Sequence, residues 1–246
     1  RKMERRAAFF LALFALSAAE PISLKFYPHN EDRNDTLIWY NVSMYHAWSN
    51  QLDNLLEVYS NPKHTEGRKE NLMNCSYTKP PTEGKVCNIP VQHFKPCTSK
   101  NHFGYKKGTP CIFLELQKSE GWKPRFFNST KSLPKSMPQA LKSYIQSVTQ
   151  VNTKTWQTVW VTCEGETPSD IEFIGPVHYL PQQGIPSYLL SGSEHKGYLP
   201  PIMAVYLEAP ARGVVINIEC RAWVPAATND TKTVVASTKF QYLIDG

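Results

Sequence analysis

Six cysteines constrain the fold of this chain more than any other feature of its sequence. An even number of cysteines, found together with five Asn-x-Ser/Thr sequons, is typical of a protein that folds in the secretory lumen. We therefore expect three disulfide bonds and a domain outside the cytosol, which excludes most intracellular functions. The cysteines are Cys75, Cys87, Cys97, Cys111, Cys163 and Cys220, and the glycosylation sequons begin at Asn34, Asn41, Asn74, Asn128 and Asn229.

The N-terminus combines a basic flank with a short apolar run. Residues 1–6 are mostly basic, and residues 7–19 are apolar or small and carry no charge. This run is shorter than the ~20 residues of a membrane-spanning helix, and it is similar to the apolar part of a cleavable signal peptide. Residues 1–19 therefore have two interpretations, a truncated membrane anchor or a signal-like segment. In both, the charge orientation places the rest of the chain in the lumen.

The remaining chain divides into a stalk and one domain. Residues 20–42 are largely polar and contain two prolines, so we predict an extended stalk there. Residues 43–246 are expected to form a single disulfide-linked extracellular domain, because a chain with 41% hydrophobic residues can bury a core of its own.

One helical pattern stands out near the start of this domain. Apolar residues recur on one face from Met44 to Tyr59, which predicts a single amphipathic helix. Ser43 is the expected cap, and Asn61-Pro62 is expected to end the helix. Residues 65–110, which are polar and rich in lysine and proline, predict a loop-dense region held by disulfides.

Strand patterns dominate the second half of the chain. Residues 214–223 alternate between apolar and polar side chains, as in a strand with one buried face. Strands without intervening helical patterns predict a mainly β fold, an immunoglobulin-like antiparallel sandwich. Cys163 and Cys220 each fall in a predicted strand, so we expect a bond between the two sheets there. The other strands are indicated by apolar runs at residues 111–116, 159–163, 202–207 and 240–244.

The sequence gives no positive case for an enzyme. It contains neither a glycine-rich phosphate loop nor the closely spaced cysteines of a zinc site. Ser191-Gly-Ser193-Glu-His195 lacks the G-x-S-x-G pattern of a serine nucleophile. We therefore expect no catalytic residue, no metal and no cofactor, and we expect neither nucleic acid nor a small-molecule substrate as a partner.

Four spaced motifs carry a family resemblance. They are Phe103-Gly-Tyr-Lys-Lys-Gly-Thr-Pro-Cys111, Gly121-Trp-Lys-Pro124, Tyr198-Leu-Pro-Pro201-Ile-Met-Ala-Val205 and Ile216-Asn-Ile-Glu-Cys220-Arg-Ala222. In this order they resemble runs in the β subunits of the sodium/potassium and proton/potassium P-type ATPases. The resemblance extends from about Ile22 to Asp245.

The resemblance implies a non-catalytic glycoprotein subunit. Such a subunit assists the folding, assembly and plasma-membrane delivery of the catalytic α subunit, and it modulates potassium transport. It is a single-pass type II membrane protein with an extracellular C-terminal domain. Its disulfides join neighbours in sequence, which here implies the pairs Cys75–Cys87, Cys97–Cys111 and Cys163–Cys220.

The resemblance also implies where the α subunit is contacted. The matching stretch runs from Tyr188 to Pro201, although residues 187–193 lack most of the family's aromatic side chains. Within it, the alternative role for each residue is that of a loop residue capping the sandwich core. The candidate contact residues are Tyr188, Tyr198, Leu199, Pro200 and Pro201.

A second function remains open at the level of sequence. The short apolar run at the N-terminus also suits a secreted or adhesive immunoglobulin-like glycoprotein that acts independently of a pump. A mature protein that begins at Glu20 would favour secretion, and an intact basic N-terminus would favour anchoring.

Overall fold

The computed structural model describes residues 22–32, 34–225 and 234–245. Residues 1–19 and Asn229, for which the sequence makes predictions, lie outside these ranges. Within them, no helix has both the length and the apolar character needed to cross a membrane.

The described chain contains helices and several 3-10 turns between its β-strands. The strands are β1 Ile22–Tyr27, β2 Leu37–Asn41, β3 Leu72–Met73, β4 Val86–Cys87, β5 Cys111–Lys118, β6 Thr158–Gly165, β7 Val177–Leu180, β8 Gly184–Pro186, β9 Ile202–Leu207, β10 Ile216–Val224 and β11 Val234–Asp245. The helices are α1 His46–Ser60, α2 Arg68–Asn71, α3 Gln139–Val151 and α4 Pro168–Phe173.

Two sheets pack face to face and confirm the predicted β sandwich. One has the strand order β1-β5-β9-β7 and the other β2-β11-β10-β6-β8. Side chains from both sheets share one buried core, in which Phe26 of β1 stacks on Phe240 of β11 with ring centroids 4.9 Å apart. The sandwich is not wholly antiparallel, because β2 pairs in parallel with β11.

The region predicted to be a stalk instead contributes one strand to each sheet. Ile22 and Leu24 of β1 are buried, as are Ile38 and Tyr40 of β2, while the residues between them are exposed. This alternation gives each strand one core-facing side. Each alternating run is only five or six residues long and lies among polar residues and prolines, which is why the composition pointed to a stalk.

The bond between Cys163 and Cys220 lies within one sheet, so the expectation of a bond between the sheets was wrong. β6 and β10 are neighbouring strands, and Cys163 lies directly opposite Cys220 with their Cα atoms 4.0 Å apart. Directly opposite residues point to the same face of a sheet, and both cysteines are buried on the core side. The sequence places each cysteine in a strand but does not reveal which strands are neighbours.

The other two bonds hold the loop-dense region. Cys75 is joined to Cys87 across 12 positions and Cys97 to Cys111 across 14. These are the pairs that the family resemblance implies. Between the second pair the backbone turns sharply at Gly104, where a Cβ atom would lie 1.8 Å from the Thr109 carbonyl oxygen, so only glycine fits there.

Helix α1 packs against the shared core. In α1, Trp48, Leu52 and Tyr59 are buried, and the predicted end before Asn61-Pro62 is confirmed. The predicted cap at Ser43 is wrong, because Ser43 lies in a preceding 3-10 turn whose own cap is the side chain of Asn41.

A second long helix, α3, was not predicted. Its Leu141 and Ile145 are buried against Trp160 of β6 and Trp223 of β10, on the face of that sheet opposite the main core. β6 and β10 therefore contribute buried side chains on both faces.

Candidate partner-binding surface

The stretch that the resemblance implicates, residues 188–201, is called the docking segment below. It begins within the 3-10 turn Ser187–Leu190 and ends where β9 begins. Its own backbone forms consecutive turns, in which the His195 amide donates to the Gly192 carbonyl at 3.0 Å and the Tyr198 amide donates to the His195 carbonyl at 3.2 Å. The segment has no helix or strand of its own between residues 191 and 201, so other parts of the chain must fix its position.

Helix α2 holds the middle of the docking segment. Arg68 Nη1 donates to the Gly197 carbonyl at 2.8 Å, and Asn71 Nδ2 donates to the Lys196 carbonyl at 3.1 Å. The two backbones approach so closely that a Cβ atom on Gly197 would lie 2.3 Å from the Arg68 Cα atom. Gly197 also has a φ of 88°, a conformation that glycine adopts without strain.

The Arg68 side chain is fully buried beneath the segment. Its exposed fraction is 0%, and burial lowers the pKa of its guanidinium, an effect that Tyr59 partly offsets. Among the described residues, its Nε and Nη2 atoms have no hydrogen-bond partner. A buried cation is costly unless it is paired, so the bond to Gly197 is the main protein contact that compensates for the burial of this group.

Tyr59, in the last turn of α1, supports the end of the docking segment. Its hydroxyl donates to the Pro200 carbonyl at 2.8 Å and lies 3.5 Å from Glu115 Oε2. Burial raises the pKa of Tyr59 far above its ordinary value, and the nearby Glu115 raises it further. The hydroxyl therefore stays protonated and remains a donor at any physiological pH.

A loop preceding β4 supports the docking segment from another side. The Gly84 amide donates to His195 Nε2 at 3.2 Å, and Glu194 Oε1 lies 3.5 Å from the same nitrogen. An exposed ion pair between Lys196 and Glu66, at 3.0 Å, adds a contact of small energetic value.

The five predicted contact residues do not all lie on one surface of the structure. Tyr198 and Pro200 line a groove of about 710 Å³ together with the turn at residues 118–123, and we call this the Tyr198 groove. Leu199 is half-buried and packs against the core. Burial raises the pKa of Tyr198, with further contributions from Glu115 and Glu194, so its hydroxyl is neutral.

Pro201 and Tyr188 differ from the other three residues. Pro201 is buried, and its carbonyl accepts a hydrogen bond from the Leu116 amide at 3.0 Å. It closes the core and presents no outer surface, as in the capping alternative. Tyr188 lies in a different groove, where its ring meets that of Tyr77 edge to face with centroids 5.2 Å apart.

Several residues of this surface were missed by reasoning from the sequence. Trp122 and Lys123 line the Tyr198 groove, and their only sequence signal was the Gly121-Trp-Lys-Pro124 motif, to which no role was given. Arg68 and Tyr59 act from beneath the segment, more than a hundred positions away in sequence. No local pattern predicts such contacts.

The serine motif does not assemble into a nucleophilic site. Ser191 Oγ donates to the Ser187 carbonyl and Ser193 Oγ donates to Glu194 Oε2, while His195 Nε2 already accepts from Gly84. Across residues 22–32, 34–225 and 234–245, histidine, cysteine and acidic side chains nowhere gather in a group of three that would suit a metal ion.

Four of the predicted glycosylation sites lie in the described part of the chain. Asn34, Asn74 and Asn128 are exposed, and Asn41 is half-buried. The Asn41 Oδ1 atom accepts hydrogen bonds from both the amide and the hydroxyl of Ser43, the third residue of its sequon.

Comparison with known proteins places these features in a family context. A family model described as "Sodium / potassium ATPase beta chain" matches residues 14–241. The chain is 42% identical over 221 residues to the sodium/potassium-transporting ATPase subunit beta-2 of Drosophila melanogaster, an alignment that covers 89% of this chain and 68% of that protein.

Two further relatives are more distant. Identity to the subunit beta-1 of Drosophila melanogaster is 34%, covering 80% of this chain and 61% of that protein. Identity to the probable subunit beta-3 of Caenorhabditis briggsae is 27%, covering 87% of this chain and 63% of that protein. The chain thus spans between 61% and 68% of the length of these three relatives.

Proposed function

We propose, since this chain belongs to the sodium/potassium ATPase beta chain family, that it is the non-catalytic accessory subunit of a P-type cation pump. In this role it binds the catalytic α subunit, assists its folding, assembly and delivery to the plasma membrane, and modulates potassium transport. Its work is recognition of a protein partner and involves no bond chemistry.

The observation that carries this proposal is the support beneath the docking segment. Arg68, Asn71, Tyr59 and Gly84 hold a stretch that has no regular secondary structure of its own. A surface fixed before binding loses less conformational entropy when a partner docks. The support therefore suits a segment whose task is to bind another protein.

The Tyr198 groove supplies the contact chemistry. It brings Tyr198 and Pro200 beside Trp122 and Lys123. Aromatic residues are enriched among the side chains that dominate protein–protein binding energy, and a cation at the rim offers a charged contact. We infer that an extracellular loop of the α subunit enters this groove.

The proposed location is the plasma membrane, with the described domain on the extracellular side. All six cysteines are paired, which requires an oxidising compartment. In the proposed arrangement the chain is a single-pass type II membrane protein whose sequons face the same compartment.

Co-purification from membranes tests the proposal. The full-length natural protein, tagged at its C-terminus, is solubilised from plasma membranes in mild detergent. We expect the α subunit of a P-type ATPase to be recovered with it in stoichiometric amount. Recovery of the protein only from the medium, without a pump subunit, would instead support the secreted module.

Single substitutions localise the contact. We expect Tyr198→Ala and Trp122→Ala, both in the lining of the groove, to weaken co-purification by roughly ten-fold or more, the effect of losing an interface side chain worth about 1.4 kcal/mol or more. Val151→Ala and Ile171→Ala, which truncate exposed apolar residues on α3 and α4, are the matched controls and should retain the partner. Equal loss in all four variants would argue against the Tyr198 groove as the contact.

A further inference from the structure

A second groove, of about 460 Å³, lies beside the Cys75–Cys87 bond and next to β8. It is called the Asn74 groove below. Its volume falls within the range of about 300–1,000 Å³ that is typical of small-ligand sites. Apolar side chains including Ile89 and Leu189 form part of its lining, and so do the amide side chains of Asn74, Asn88, Gln92 and Gln182.

The chemistry of this lining suits an N-acetylated sugar. Such a sugar has an apolar C–H face, which packs on aromatic or aliphatic groups such as Tyr188 and Leu189. Its acetamido and hydroxyl groups both donate and accept hydrogen bonds, as do the side-chain amides of asparagine and glutamine. A largely apolar groove with a few convergent polar groups is the usual form of a small-ligand site.

One of the lining residues is also a predicted attachment site for sugar. Asn74 is exposed and begins the sequon Asn74-Cys75-Ser76. Its Oδ1 atom accepts a hydrogen bond from Asn88 Nδ2 at 3.2 Å, and this bond fixes the side-chain amide within the groove lining. Glycans attach to the other atom of that amide, Nδ2.

We propose that Asn74 carries an N-linked glycan whose first two N-acetylglucosamine residues lie in the Asn74 groove. In the transfer, Nδ2 of Asn74 loses a proton and bonds to C1 of the first sugar. The bond from C1 to the pyrophosphate oxygen of the lipid-linked oligosaccharide donor breaks, and the lipid pyrophosphate leaves with the proton. The occupant is thus covalently attached to the protein and needs no affinity of its own to remain there.

Cys75, next to Asn74, determines whether glycan transfer or disulfide formation comes first. Cys75 is the middle residue of the sequon, and its bond to Cys87 fixes the backbone beside Asn74. Transfer therefore precedes closure of this bond, and the groove then forms around the inner sugars. The proposal depends on entry of the chain into the secretory lumen. The Asn74 groove shares Tyr188 and Leu189 with the docking segment but no residue with the Tyr198 groove.

Differential enzymatic release tests this arrangement. Peptide N-glycosidase cleaves between asparagine and the first sugar, so it must reach the part of the glycan that the groove covers. The full-length glycoprotein is digested without denaturant, and mass spectrometry follows the conversion of each glycosylated asparagine to aspartate. The glycans at Asn34 and Asn128, which are exposed and lie elsewhere on the surface, serve as controls within the same molecule.

We expect the Asn74 glycan to be released at least about ten-fold more slowly than those at the control sites, because cleavage must wait for local opening of the groove. After denaturation and reduction, the three sites should be released at similar rates. An unmodified Asn74 in the mature protein, or native release as fast as at the control sites, would overturn the proposal.

Variants of the groove show whether slow release at Asn74 is caused by packing of the glycan in the groove or by the sequon itself. Asn88→Ala and Gln92→Ala remove two lining amides and retain the sequon, and we expect both to raise native release at Asn74 towards the control rate. Glu83→Ala, an exposed change outside the lining, should leave release unchanged. Protection that persists in both groove variants would contradict the proposed site. Release is measured on chains purified without the pump subunit, because Tyr188 and Leu189 of the groove also belong to the docking segment, and the result then does not depend on that partner.

Discussion

At the scale of single residues, the support of the docking segment depends on atoms that sequence patterns do not reveal. The glycine at position 197 is needed because two backbones meet there, and the arginine at position 68 is buried beneath the meeting point. Hydropathy places an arginine on the surface by default. The resemblance to a known family identified the docking segment, and only the structure shows what holds it.

The first prediction concerns Gly197. Gly197→Ala forces a non-glycine residue to a positive φ and places Cβ 2.3 Å from the Arg68 Cα, so the segment must move. We expect a loss of unfolding free energy that exceeds the ~1–2 kcal/mol cost of the left-handed conformation itself, measured by urea denaturation. Gly213→Ala is the matched control, because its φ is similarly positive but nothing lies within 4 Å of the added atom. Equal losses in the two variants would refute a tight approach at Gly197.

The second prediction concerns pH and Asp170, which joins α4 to β10. Burial alone would raise the pKa of this carboxyl, but hydrogen bonds from Thr167 and Asn217 together outweigh burial and lower the pKa below its ordinary value. The stabilisation is therefore complete above the unfolded pKa of about 3.9 and is lost as the pH falls through the lower folded value.

Asp170→Asn should accordingly cost about 1–3 kcal/mol of unfolding free energy at pH 7, and the difference from the natural protein should shrink in strongly acidic solution. Glu172→Gln, an exposed change in the same helix, should stay within about 0.5 kcal/mol. A difference that is independent of pH would show that the Asp170 charge is not responsible.

At the scale of elements, the strongest sequence patterns gave correct strands. The alternation in residues 214–223 corresponds to β10, where Ile216, Ile218 and Cys220 are buried and the residues between them are partly exposed. Shorter or mixed patterns were less informative. Helix α3 begins directly after Pro138 and carries its apolar face mainly at Leu141 and Ile145, so its helical pattern is too short to stand out in the sequence.

The sequence did not show which strands lie next to each other in the sheets, and this was the main part of the fold that it left open. The patterns placed Cys163 and Cys220 in strands, but only the register of β6 against β10 shows that the bond runs within one sheet. In the same way, β1 and β2 become recognisable as strands only once β5 and β11 are present to pair with them.

The third prediction tests the packing of α3 on the outer face of β6 and β10. Ile145 is fully buried against this sheet, whereas Val151 at the end of the same helix is 89% exposed. Ile145→Ala should lower the unfolding free energy by about 2–5 kcal/mol, the usual cost of a large-to-small change in a core. Val151→Ala should change it by less than about 0.5 kcal/mol. If thermal or urea unfolding shows no difference between the two variants, α3 does not pack as described.

At the scale of the whole molecule, a shared core and three covalent links act together. The core extends from β1 through β5 and β9 to β10 and β11, so the disulfides add to a fold that already buries a large apolar surface. Their contributions should therefore follow the length of chain that each one closes.

The fourth prediction ranks these links. The Cys163–Cys220 bond closes 57 positions and the Cys75–Cys87 bond closes 12, which corresponds to roughly 4 and 3 kcal/mol in the chain-entropy model. Replacing Cys163 and Cys220 by alanine should lower the midpoint of urea unfolding more than the same replacement of Cys75 and Cys87. The reverse order would mean that local strain or residual structure in the unfolded chain outweighs loop length.

The Cys75–Cys87 bond also bears on the docking segment, because of where it lies in the chain. Arg68 and Asn71 precede Cys75, and Gly84 precedes Cys87, so the bond draws together the two groups of residues that support the docking segment. In a chain in which this pair is still reduced, no covalent link joins α2 to the loop that precedes β4. Under the proposed function, closure of this bond therefore tethers the supports of the docking segment to each other before the partner subunit binds.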